Sequence, residues 1–183
     1  MASIFRSDIE DCADLREWME GDGARLSCRS RNNSFEVRLR YIPSPVRYCM
    51  APLDVFDEGE ASAASAIAKG QVTTQYILEL QPLAASAFET PQPLRFTEAD
   101  IVEVLGTDTV PCAFVQHEPR VPSMPFQRSI LGFDHPESPM DRKIVIRDRD
   151  GRHGGDILLR FDPGVFKTYD MLNVDSTLTR WGA

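Results

Sequence analysis

Apolar and polar residues alternate with a period of two through much of this chain. Phe35, Val37, Leu39 and Tyr41 alternate with Glu36, Arg38 and Arg40, which predicts a half-buried strand ended by Pro43 and Pro45. Val72, Thr74, Tyr76, Leu78 and Leu80 repeat the pattern. The clearest case runs from Arg142 to Phe161. Ile144 and Ile146 share one face, Val145 and Arg147 the other, and Ile157, Leu159 and Phe161 form a return strand, so the block predicts a hairpin. Further strands are predicted at Thr109 to Gln116 and Phe126 to Asp134. The prolines of PRVPSMP and HPESP between them favour edges and loops over a continuous central sheet.

Helical spacing is concentrated in the first half. Ser7 and Glu10 have the spacing of a capping box, predicting a helix that buries Ile9, Cys12, Ala13, Leu15 and Met19, carries Trp18 on its flank and stops at Gly21. Asp54 caps a second helix running to about Lys69, with Gly70 beyond it. Thr97 caps a short third helix from Glu98 to Leu105, stopped by Gly106. The stretch from Phe35 to Leu80 therefore reads as strand, helix, strand, with a right-handed crossover if the two strands are parallel neighbours. The predicted class is α+β: one mixed or mainly antiparallel sheet of about six strands, two to three helices packed on one face, and a strand-rich C-terminal half. Residues 1–183 read as a single domain, with 84–95 as the place where any subdivision would fall.

Composition agrees with a globular chain: 183 residues, 42% hydrophobic and 26% charged. No run approaches the roughly 20 apolar residues that span a bilayer, and the N-terminus lacks the apolar core of a secretion signal. The expected location is cytoplasmic, or the cell envelope or exterior if an export segment has been removed. Cys12, Cys28, Cys49 and Cys112 match neither a zinc ribbon nor a redox pair and are expected to be free thiols. Seventeen arginines against three lysines point to coding bias in a high-GC, bacterial genome. The net charge of −8 is unevenly distributed, with six acidic residues from Asp8 to Glu20 and six arginines from Arg25 to Arg47. If those segments pack together they neutralise each other. The acidic whole disfavours phosphate backbones and anionic membranes.

The candidate site is the hairpin loop, DRDGRHGGD, which crowds Asp148, Asp150, His153 and Asp156. Closely spaced carboxylates with a glycine suit calcium. Aligning Gly151 with the glycine of a calcium loop, however, puts Ile146 and Ile157 at the anchoring positions, so no metal or cofactor is assigned beyond a weak calcium reading. His117 beside Glu118 and His135 beside Asp134 are the other groups that a fold could build into an acid-base pair. Cys112 and His117 lie five apart on a predicted strand and face opposite ways, which removes a Cys-His dyad. The arginines among Phe35 and Tyr41 face away from those aromatics, against a base-stacking surface. Phosphate-loop, dinucleotide, nucleophile-elbow and zincin motifs are absent. The first reading is a non-enzymatic protein-binding or assembly module that offers a sheet face or hairpin edge to another protein, with no nucleic acid and no membrane insertion. The alternatives are a hydrolase using Asp148, Asp150, His153 and His117, and a calcium-stabilised envelope domain.

Overall fold

Alternating strands bury one face each, and here they do so by forming two antiparallel sheets whose inner faces share a core. The computed structural model describes residues 8–32, 34–50, 74–83, 96–119, 126–149, 151, 155–170 and 173–179. The larger sheet contains β2 (Ser27–Arg31), β3 (Phe35–Ile42), β4 (Thr74–Pro82), β7 (Phe114–His117) and β8 (Gln127–Phe133), in the order β2-β3-β4-β8-β7. The smaller contains β5 (Ile101–Leu105), β6 (Asp108–Pro111), β9 (Arg142–Ile146) and β10 (Ile157–Arg160), in the order β10-β9-β5-β6. A parallel pair joins β1 (Asp8–Asp11) to β11 (Asn173–Thr179), and the described helices are α1 (Cys12–Glu20), α2 (Ser44–Met50) and α3 (Val165–Asp170). The class is α+β and mainly antiparallel. Its strands are shared among three sheets rather than gathered in one.

The predicted hairpin forms, and the structure sets its register, with Ile146 opposite Ile157 and Ile144 opposite Leu159. All four are buried, in a cluster that extends from Cys12 in α1 to Phe166 in α3. The stretch 84–95, the place expected for any subdivision, lies outside the described residues, and β8 pairs with β4 along Thr74 to Leu80.

Several elements differ from the local reading. Residues 8–11 are strand, since Asp8 and Ile9 pair with Asn173 and Val174, and the helix starts at Cys12. It still buries Cys12, Leu15 and Met19, while Ala13 is exposed. The Thr97 cap is real, with Asp100 completing the capping box, but it opens a three-residue 3-10 turn and not a helix to Leu105. Ile101, Val102 and Val104 are β-branched, and a partner strand lies on each side of them, so IVEVL becomes β5. β3 and β4 are neighbours but antiparallel, so no parallel crossover links them. The predicted helix from Asp54 to Lys69 lies outside the described residues. The predicted strand from Thr109 to Gln116 breaks at Cys112, whose N–H bonds Ile101 of one sheet while Ala113 bonds Gly132 of the other. The chain changes sheets there.

The four cysteines are not all thiols. Cys12 and Cys49 form a disulfide between α1 and α2, with Cα atoms 5.7 Å apart, because the β2–β3 hairpin returns the chain beside α1. Cys28 and Cys112 are free and buried. The basic stretch finds carboxylates within the sheet and in a later loop: Arg29 reaches Glu36 and Arg47 reaches Glu137.

Candidate functional site

The loop singled out from sequence uses two of its aspartates, Asp148 and Asp156, on its own backbone. Asp156 Oδ1 accepts from the Asp148 N–H and Asp148 Oδ2 accepts from the Gly155 N–H, each at 2.8 Å. Gly151 and Gly155 adopt positive φ, which a loop of this shape needs. Arg149 reaches Asp100 and the Ala99 carbonyl, docking the loop onto the turn before β5. Asp150 and His153 lie outside the described residues. Among the described residues no group of three or more His, Cys, Asp or Glu is placed to hold a metal ion. His117 stands on the other sheet. Its Nε2 donates to the Phe96 carbonyl at 3.1 Å, and its Nδ1 shares a hydrogen bond of 2.8 Å with the Ser129 hydroxyl.

The densest chemistry lies between the sheets. Glu103 occupies an inward position of β5 and Arg142 an inward position of β9, and both side chains are fully shielded from solvent. Two charges in an apolar interior are tolerated when they are paired and hydrogen-bonded; here both Arg142 Nη atoms and both Glu103 oxygens are engaged, while Arg142 Nε is buried with no hydrogen-bond partner among the described residues. Tyr76, inward on β4, supplies the link. An arginine nitrogen can only donate, so Arg142 Nη1 gives a hydrogen bond to the Tyr76 oxygen at 3.0 Å, and the Tyr76 hydroxyl passes its own to Glu103 Oε1 at 2.5 Å. Burial, opposed by the nearby Arg142, holds that hydroxyl well above the ordinary tyrosine value, which keeps it a donor. The guanidinium of Arg142 lies 4.1 Å from the Phe166 ring centroid and 5.1 Å from that of Tyr41. A flat, weakly hydrated cation against aromatic faces is a favourable arrangement that lysine could not reproduce.

The 134–141 loop, which carries the chain from β8 to β9, closes over this network. His135 Nε2 sits 2.7 Å from Glu103 Oε2, the Ser138 carbonyl accepts from Arg142 Nη2, and Asp141 accepts from the Gly164 N–H. Glu137 Oε1 accepts from both the N–H and the hydroxyl of Ser44 at 2.7 Å, and Arg47 is within 3.3 Å of the same oxygen. His135 therefore meets a carboxylate, one supplied by β5 and not its neighbour in the chain. The two free thiols offer little nucleophilic chemistry. Burial pushes Cys28 up to about 12 and Cys112 up to about 11.

The outer face of the same four strands is of the opposite kind. In register, Leu158, Val145, Val102 and Pro111 form one apolar row across all four strands, with Leu158 39% exposed. The next row is Arg160, Lys143, Val104 and Thr109. Arg160 and Lys143 are directly opposite each other, an unfavourable like-charge pair, and neither forms an ion pair with another described residue.

No family model matches this chain, and no curated protein or solved structure matches it. The site therefore stands on its geometry. Sequence reasoning missed Glu103 because it placed that residue in a helix, and it passed over Arg142, although each is the one charged residue among the inward positions of its own strand. Once β5 is recognised as a strand, a carboxylate between Ile101 and Leu105 becomes the visible signal.

Proposed function

We propose that this protein is a non-enzymatic binding module that presents the outer face of its four-stranded sheet to an acidic, partly apolar segment of another protein. The observation that carries the reading is the row of Leu158, Val145, Val102 and Pro111 beside Lys143 and Arg160, which form no ion pair with a described residue. Arg147, exposed just beyond β9, adds a third cation, and no carboxylate occupies an outward position within these four strands. A partner carboxylate placed between Lys143 and Arg160 would turn a repulsive pair into two ion pairs, while its apolar side chains cover the adjacent row.

Charge argues for a protein partner. A chain of net −8 is repelled by a polyanion as a whole, while one carboxylate can be paired locally. Two or three cations at roughly 1 kcal/mol each are a weak membrane attachment. No described helix is long and apolar enough to cross a bilayer. The Cys12–Cys49 disulfide favours an oxidising compartment, the cell envelope or exterior, as the place where the partner is met. Both described histidines have their ring nitrogens turned to groups of the protein itself, which favours binding over acid-base catalysis.

A photo-crosslinking residue at Leu158, with Ile130 on the outer face of the larger sheet as control, tests this in native extract. The expected result is one discrete adduct from position 158 that disappears when Val145→Asp is added. No adduct, or an adduct indifferent to Val145→Asp, overturns the reading.

A further inference from the structure

We propose that one proton shared by the His135–Glu103 pair latches the 134–141 loop to the four-stranded sheet, and that losing this proton as pH rises releases the loop.

The argument is a count of donors and acceptors. His135 Nδ1 lies 2.8 Å from the Pro136 carbonyl, which can only accept. Nδ1 also lies 3.3 Å from the Thr74 hydroxyl, whose proton is directed to the His135 carbonyl, so that contact too presents an acceptor. Nδ1 therefore carries a hydrogen. At the other side of the ring, Nε2 faces Glu103 Oε2 at 2.7 Å. A neutral imidazole with its hydrogen on Nδ1 would bring a lone pair against a carboxylate oxygen. The distance requires a second hydrogen, held between Nε2 and Oε2 by the pair jointly.

The surroundings limit where that proton can go. Glu103 Oε1 is already engaged by Tyr76 from β4, and Arg142 from β9 stands 3.6 Å from the same oxygen. Thr74 faces the ring from β4, and the Phe133 ring, 6.4 Å away centroid to centroid, adds no charge. On the loop itself Glu137 is turned to Ser44 and Arg47 of α2. The hydrogen bond to Glu103 raises the His135 pKa above its ordinary value, against burial and the Arg142 charge, which lower it. For a group raised in the folded state, the stabilisation is fully present below the unfolded value and is lost as pH climbs through the folded one. The latch holds on the acid side of the ordinary histidine value and loosens as pH rises through the raised folded-state one.

The loop has four attachments: His135, Glu137, Ser138 and Asp141. Loosening the first exposes the rest. Nitrogen-detected NMR of the His135 ring, with hydrogen exchange at the Ser44 amide held by Glu137, tests this from about pH 5.5 to about pH 9. The expected result is a doubly protonated ring at low pH and a fall of roughly tenfold in Ser44 protection with the same midpoint, the loss of one charge-assisted hydrogen bond. His117→Gln should leave that response unchanged, and His135→Gln should flatten it. A His135 ring that stays in one form, or that titrates while Ser44 protection is constant, overturns the proposal. Both readouts come from the unmodified protein, so a variant that fails to fold does not block the test.

Discussion

In the five-stranded sheet, Arg29, Arg38, Glu79 and Arg128 form an outward row across four strands, while Tyr41, Tyr76, Leu131 and Val115 form an inward one. In the four-stranded sheet the outward row is Leu158, Val145, Val102 and Pro111, and the inward rows contain Glu103 and Arg142. In these rows the larger sheet follows the rule of polar outside and apolar inside, although Ile77 and Ile130 also pair on its outer face and Thr74 and Ser129 are buried. The other partly reverses it. Each reversal needs a partner: the buried charges have theirs within the protein, in Tyr76, His135 and Ser138, whereas the outward apolar row, exposed at Leu158 and Pro111, is the face for which docking is proposed above. The outer face of the larger sheet is also partly self-covered, because the Phe114 ring lies across Gly132.

The largest effect should come from removing one member of the buried set. Glu103→Leu leaves Arg142 charged and unpaired in the core, and a loss of about 3–5 kcal/mol in urea unfolding is expected. Glu79→Ala, in the outward, partly solvated row of the larger sheet where Arg128 lies 3.0 Å away, should cost less, about 1 kcal/mol. Adding Arg142→Met to Glu103→Leu should recover much of the loss. Equal losses at Glu103 and Glu79 would erase the contrast between the sheets.

Next in size is Gly132→Ala. A Cβ there would lie 1.9 Å from a carbon of the Phe114 ring, so the ring must leave the sheet, at roughly 1–3 kcal/mol by thermal unfolding. A smaller effect, on the order of 1 kcal/mol, is a decline in stability as pH rises through the folded-state value of His135, whose pKa is raised chiefly by its hydrogen bond to Glu103. Stability should be fully retained on the acid side of the ordinary histidine value, and a rise in urea midpoint with increasing pH would contradict the sign.

Smaller still is Lys143→Glu. Opposite Arg160 it replaces a like-charge pair by an attractive one, so the isolated protein should gain about 0.2–1 kcal/mol while the crosslinked adduct at Leu158 is lost. A variant more stable yet unable to bind would separate the outer face from the core. Excess calcium should leave the melting temperature unchanged within about 1 °C, since Asp148 and Asp156 are engaged by backbone amides.

Much of the strand content was legible. Phe35 to Tyr41, Thr74 to Leu80 and the 142–161 hairpin show period-two alternation over enough residues to decide both element and facing, and the structure buries the residues so assigned. Residues 8–11 and 101–105 were misread because the Ser7–Glu10 capping-box spacing and the Thr97 cap are local signals and strand pairing is not. The disulfide was hidden for the same reason. Cys12 and Cys49 are separated by 37 residues, and their proximity depends on how the intervening hairpin returns.

What the sequence determined by itself was the inward and outward alternation of its clearest strands, because side-chain direction in a strand follows from the backbone of that strand alone. What the tertiary structure decided was which strands are neighbours, and hence that Glu103, Tyr76, His135 and Arg142 meet while Lys143 and Arg160 stand side by side. Those contacts join residues as far as 66 positions apart, as between Tyr76 and Arg142. Registers are set by the burial of whole rows, so no single segment contains the information that brings the site together.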